Sequence, residues 1–324
     1  MRLISIERQI RFFVLGLPFF FNQPASWAND FQPQTSDFSV QIREDTVFYR
    51  VFAVYVLPEE RLTLAVAEGD PNSQFELVSD GMVLPAVSGK LWQWRAPREK
   101  GLVSLKILRS APRDSMLINV FVMVPFEQMD GEYLENYKIG HYPSLPYKNS
   151  SIYETPRGFI EVNQENQEIR ISPHFQLKQF LCKQAGDFPK YMVLQERLVL
   201  LLERILARVN QAGHRCRTLH IMSGYRTPAY NQAIDNVKYS CHIYGVAADF
   251  FIDENPEDGM MDDLNGDGTS DIDDAAIVYD LIAQMSGEAW FELFRGGLAK
   301  YGKTAAHGPF VHVDVRGFHA RWGK

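Results

Sequence analysis

The sequence predicts an α+β protein: an N-terminal antiparallel β-sandwich-like domain, then a second domain that mixes helices with short strands. Two observations carry this. Residues 36–126 alternate short aromatic and β-branched runs with turn punctuation. Further on, Leu194, Leu198, Leu201, Ile205 and Val209 recur at helical spacing as one apolar stripe. The 324 residues suffice for two domains, and 46% apolar residues suffice for a sizeable core. A net charge of −7 with no long basic block argues against nucleic acid as the main partner.

Residues 1–28 are expected to be a secretory signal. Arg2, Arg8 and Arg11 precede the apolar run Phe12–Phe21, which is too short to span a bilayer. Ser26-x-Ala28 supplies a cleavage signature, so the mature chain should begin at Asn29. The alternative is an uncleaved N-terminal anchor; either way the folded part is exported, to a periplasm or outside the cell. No other segment is long and apolar enough to cross a membrane.

The first domain, 29–126, is expected to hold strands over Val47–Leu57, Leu62–Ala67, Phe75–Val78, Leu91–Trp94, Leu102–Leu108 and Met116–Val124. Trp92 and Trp94 are expected to pack rather than bind a ligand. Nothing here has catalytic spacing. The domain reads as a spacer or a docking module whose partner is unknown. Residues 127–171 form a connector rich in Tyr, Pro and Asn, expected to lie along a surface.

The second domain is expected over 172–324. Ser172 should cap a helix with Pro173 in its first turn, and His174 should be a structural hydrogen-bonding residue. A helix is expected from about Pro189 to Ala212, closed by Gly213. The strand Thr218–Met222 leads into Ser223-Gly224-Tyr225-Arg226, and Thr227-Pro228 begins another helix. Arg226 thus sits at a strand–helix junction. Its paired donors can grip a carboxylate or a developing oxyanion, or form a structural salt bridge.

Ser240-x-His242-x-x-Gly245-x-Ala247-x-Asp249 places a histidine and an aspartate close together among small residues. That pattern suits a metal site, because small residues let the backbone approach the ion. The best third ligand is His312, in Phe310-Val-His-Val-Asp314. The expected centre is zinc on His242, Asp249 and His312, with a fourth position for water. Cys241 is excluded as a ligand because adjacent side chains on an extended segment diverge. An exported compartment permits a disulfide; Cys182–Cys216 is the preferred pairing of three possible ones.

A second metal motif follows. Asp263, Asn265, Asp267, Asp271 and Asp274 alternate in the pattern of a calcium loop, with glycine at position 6, and Thr269 is placed to offer its carbonyl. The expected ion is structural Ca²⁺, and the alternative is a solvated acidic turn. A helix is expected over Asp274–Met285.

Three of these motifs together resemble the zinc D-Ala-D-Ala carboxypeptidase and murein endopeptidase group, of the lysostaphin/D-Ala-D-Ala-peptidase/hedgehog fold class. They are Ser223-Gly-Tyr-Arg226, the His242…Asp249 motif and Phe310-Val-His312-Val-Asp314. The resemblance covers about residues 172–324. It implies a central antiparallel sheet flanked by helices, zinc on His242, Asp249 and His312, and Arg226 as a substrate or transition-state contact. It also implies Ser240 and Tyr225 near the substrate, which would be peptidoglycan. Many relatives carry a glutamate or histidine base at positions that are here Pro309 and Phe310. His307 is then the preferred proton acceptor, and Asp314 the residue that orients His312. Phe310–Asp314, Arg321 and Trp322 match a glutamate-free branch of the group. The expected activity is hydrolysis of stem peptides or crosslinks by zinc-activated water, with endopeptidase action favoured. The alternatives are a catalytically inactive, zinc-stabilised cell-envelope binding protein and a calcium-dependent adhesion module.

Overall fold

Alternating apolar residues build the first half of the chain into two sheets. The computed structural model describes residues 31–68 and 72–323; the expected export signal, 1–28, lies outside them. The strands are β1 (Thr35–Ile42), β2 (Asp45–Tyr49), β3 (Val51–Val56), β4 (Arg61–Glu68), β5 (Phe75–Ser79), β6 (Met82–Leu84), β7 (Leu91–Arg95), β8 (Gly101–Arg109) and β9 (Asp114–Val122). One sheet has the order β2-β1-β4-β7 and the other β3-β9-β8-β5-β6. The expected single run Val47–Leu57 is therefore two strands in two sheets, divided at the exposed Arg50. Antiparallel pairing has one exception: β3 runs parallel to β9. No hairpin joins these two strands, so nothing in the local chain forces opposite directions. Trp92 is buried and Trp94 packs against the core.

The connector contributes more than a surface strap. After β10 (Val124–Pro125), β11 (Tyr133–Leu134) and β12 (Tyr137–Lys138), its strand β13 (Gly158–Val162) pairs with β10 on one side and β14 (Lys190–Met192) on the other. Phe159, Ile160, Val162 and Ile171 are buried. Ala53 donates its amide to Ile171 O at 2.8 Å, and Asn119 Nδ2 donates to Arg170 O at 2.9 Å. One hydrophobic cluster runs from Phe38 to Val315, and the chain from Phe31 onward is one compact unit.

Ser172 caps no helix. The chain bends there and enters a 3-10 turn, Leu177–Phe180. His174 is structural, as expected: its Nδ1 lies 2.7 Å from Glu203 Oε2 and its amide 2.9 Å from Oε1. The long helix α1 (Glu196–Gln211) begins after the expected Pro189, because Lys190–Met192 are taken by pairing with β13. Gly213, at φ +94°, follows its end. Cys182, Cys216 and Cys241 are all free and buried, against the expected Cys182–Cys216 bridge. Cys216 Sγ donates to Thr218 O, while Cys182 Sγ accepts the Thr227 amide.

The remaining elements are β15 (His220–Ser223), α2 (Pro228–Ala233), β16 (Ala247–Phe251), α3 (Ile272–Met285), β17 (Gly297–Tyr301), β18 (Phe310–Asp314) and β19 (Ala320–Gly323). Thr227 caps α2 through Tyr230 N, with Pro228 in the first turn, as read from sequence. The sheet order is β15-β16-β18-β17-β19. Its pairs are antiparallel apart from β17 with β19. Every residue of β16 and β18 is buried, and α3 packs on β17 and β18. The chain is α+β. Among the described residues no helix is long and apolar enough to cross a membrane.

Candidate metal centre

Register decides the site. Asp249 on β16 lies directly opposite His312 on β18. The same row continues through Ser223 opposite Asp249, Ala299 opposite His312, and Trp322 opposite Ala299. Directly paired residues share a face of the sheet, so these five side chains stand side by side. His242 reaches the row from a 3-10 turn, Cys241–Tyr244, that ends on Gly245 at φ +66°. A Cβ on Gly245 would lie 2.3 Å from Val193 O, so only glycine lets this turn close against the chain before α1.

Asp249 Oδ1 lies 2.7 Å from His312 Nδ1 and 3.3 Å from His242 Nε2. The three donor atoms lie within 4.8 Å of one another, on residues only 2–7% exposed. Each side chain is held from behind. His242 Nδ1 donates to Gly224 O at 2.7 Å, which turns Nε2 towards Asp249. His312 Nε2 lies 3.1 Å from Asp314 Oδ2. Asp249 Oδ2 accepts from Arg226 Nη2 at 2.5 Å. Two imidazoles and a carboxylate, each oriented by a hydrogen bond behind it, are a donor set that can hold a metal ion.

The electrostatics agree with that role. Burial lowers the pKa of His242, against the opposite pull of the Asp249 carboxylate beside it. Burial alone would raise Asp249, but His242 and His312 hold its carboxyl well below the usual carboxylate range. Burial works against charge on His312 too, yet its bonds to Asp249 and Asp314 outweigh that and lift it to about 9. A metal ion at this site would have to compete with the Nδ1–Asp249 contact.

The other expected residues are placed unevenly. Arg226 is tied into the row, with Nε on Ser223 Oγ at 2.8 Å and its Nη2 arm on Asp249. The salt bridge weighed as its alternative role is therefore present. Ser240 is buried, and its carbonyl accepts the Ile243 amide, starting the turn that carries His242. Tyr225, expected as a substrate contact, is instead a core residue: it is 1% exposed and its hydroxyl lies 2.9 Å from Tyr142 OH. His307 is half-buried before β18, with Nδ1 donating to Gly308 O at 2.8 Å and its ring edge-on to Phe310.

The acidic loop closes on itself. Buried Asp274 accepts Leu264 N at 2.7 Å, Asn265 N at 3.2 Å and Asp271 N at 2.8 Å. Asp263 accepts the amides of Gly266, Asp267 and Gly268. Asp271 caps α3 in a capping box with Asp274. Asn265, Asp267 and Thr269 are exposed. The carboxylates of this loop do not converge as His242, Asp249 and His312 do.

Two residues of the site face were missed in the sequence. Tyr301 shares the face of Ala299 by strand alternation, and its hydroxyl accepts Trp322 Nε1–H at 2.6 Å. Arg316 grips Asp314. The period-2 pattern Gly297-x-Ala299-x-Tyr301 was the available signal for Tyr301; Arg316 had none beyond its spacing from Asp314. No protein-family model, curated protein or solved structure matches the chain.

Proposed function

We propose that the chain is an exported zinc metallopeptidase that hydrolyses peptide bonds in peptidoglycan, with endopeptidase action on crosslinks favoured over D-Ala-D-Ala carboxypeptidase action. The observation that carries this is the convergence of His242 Nε2, Asp249 Oδ1 and His312 Nδ1, each oriented by a partner behind it. The motif resemblance over 172–324 supplies the reaction class. In this reading 172–324 is the peptidase domain and 29–126 a β-sandwich-like docking module.

A zinc ion held by these three residues supplies Lewis acidity and lowers the pKa of water. The chain's own residues do the rest. Arg226, fixed by Ser223 and Asp249, offers its other guanidinium arm to a substrate carboxylate or to negative charge developing on the scissile carbonyl. Tyr301 accepts from Trp322, so its own proton is available to a substrate oxygen. His307 uses Nδ1–H on Gly308, which leaves Nε2 as the basic nitrogen for proton transfer. To hold a structural Ca²⁺ together with Thr269, the side chains of Asp263, Asn265, Asp267, Asp271 and Asp274 would have to exchange the backbone amides they now accept for the ion.

The test is digestion of purified sacculi with and without chelator, with products identified by mass spectrometry. Cleaved crosslinks that vanish with chelator and return with zinc support the reading. A zinc-loaded protein that releases nothing across pH favours a second reading, a zinc-stabilised cell-envelope binding protein. The observation behind that alternative is Pro309 and Phe310, apolar residues at positions where many members of the resembled group place the base.

A further inference from the structure

We propose that Arg316 is a positioning residue of the metal centre: by clamping Asp314 it holds His312 in the orientation and tautomer that present Nδ1 to the metal. This rests on His242, Asp249 and His312 being ligands. It does not depend on the peptidase activity.

Asp314 has a fully buried side chain and is saturated with donors. Its Oδ1 accepts Gly297 N at 2.8 Å, Arg316 N at 3.1 Å and Arg316 Nε at 2.8 Å. Its Oδ2 accepts Arg316 Nε at 2.9 Å, the Arg316 Nη2 group and, from the ligand side, His312 Nε2 at 3.1 Å. A carboxylate so fully occupied cannot rotate without breaking several bonds at once. It therefore keeps His312 Nε2 as the donor, and Nδ1 faces Asp249.

The clamp is itself packed. The Arg316 guanidinium lies 4.9 Å from the Trp322 ring centroid and 5.7 Å from that of Phe318. Trp322 also meets the His312 ring at 5.1 Å, so one indole braces both the ligand and its clamp. The opposite wall is bare backbone: a Cβ on Gly297 would lie 2.2 Å from Asp314 Oδ2. A lysine could supply the charge but not the planar fork that meets both carboxylate oxygens.

A purely structural Arg316 would affect folding and leave metal affinity alone; a positioning Arg316 sets the affinity. The full chain and its Arg316→Met and Arg316→Lys variants are titrated with Zn²⁺ against a chromophoric chelator. The visible absorption of the Co²⁺ forms and the melting of the metal-free forms are recorded alongside. Arg316→Met should bind Zn²⁺ roughly 10–100-fold more weakly, the usual effect of losing a partner behind a ligand, with a changed Co²⁺ spectrum. Arg316→Lys should recover only part of the affinity, and it carries the test if the methionine variant does not fold. A folded variant of either kind with unchanged Zn²⁺ affinity and an unchanged Co²⁺ spectrum overturns the assignment. A parent chain that binds neither ion overturns the metal centre itself, a result distinct from failure of the clamp.

Discussion

His312 is the pivot of the candidate site, because both of its nitrogens face carboxylates. With no metal bound its pKa is raised to about 9, above the usual value near 6.5. A raised histidine contributes stability that is complete below about pH 6.5 and is lost as pH rises through about 9. A metal ion bound at Nδ1 would have to displace that proton. Zinc binding at pH 7 should therefore release about one proton, and affinity should climb as pH rises towards 9. Calorimetry in buffers of different ionisation enthalpy measures the release; binding with no proton released would contradict His312 as an Nδ1 ligand. Tyr301→Phe should lower turnover on sacculi about 10-fold or more while zinc content stays unchanged, as expected for a lost transition-state donor. Equal turnover in the two proteins would remove Tyr301 from the reaction.

At the scale of elements, the site depends on close backbone approach. Gly297→Ala would press a methyl into Asp314 and Trp322. The expected loss is about 1–3 kcal/mol, the usual range for overpacking, read from the denaturation midpoint. Asp274 holds three backbone amides and completes the capping box of α3. Asp274→Ala should cost about 2 kcal/mol or more with or without calcium, because buried donors are left unpaired. Calcium should raise the melting temperature of the parent chain and not of this variant; equal shifts in both would argue that the loop does not hold the ion. Several of these elements were legible in the sequence. The cap at Thr227, the stop at Gly213 and the stripe of α1 are local signals, set by residues a few positions apart. The start of α1 was not, since Lys190–Met192 answer to a distant partner strand.

At the scale of the molecule, the two expected domains share one core from Phe38 to Val315. Glu196 at the start of α1 accepts the Tyr55 amide and pairs with Arg43, and Arg197 pairs with Asp45. The first sheets and the sheet that carries Asp249 and His312 should therefore unfold in one calorimetric transition; two well-separated transitions would show that these ties are weak. The cysteines report the same event. Burial raises the pKa of the Cys216 and Cys241 thiols, and all three are buried. They should react with a thiol reagent only as the chain unfolds, and three thiols should then be counted without reductant. A count of one would restore the disulfide.

The sequence alone determined the donor types and most of the local punctuation. His242 and Asp249 sit within one short motif of small residues, and that spacing is a chemical signal in itself. Tertiary structure alone decided which side chains share the site. Asp249 and His312 are 63 positions apart and meet only because β16 and β18 pair in that register. A slip of one residue would have turned one of them to the other face. Pairing of β17 with β18 and with β19 brought Tyr301 and Trp322 to the candidate metal centre, and Tyr225 was left in the core. Strand register is set by the fit of whole buried faces, and no short motif encodes that sum.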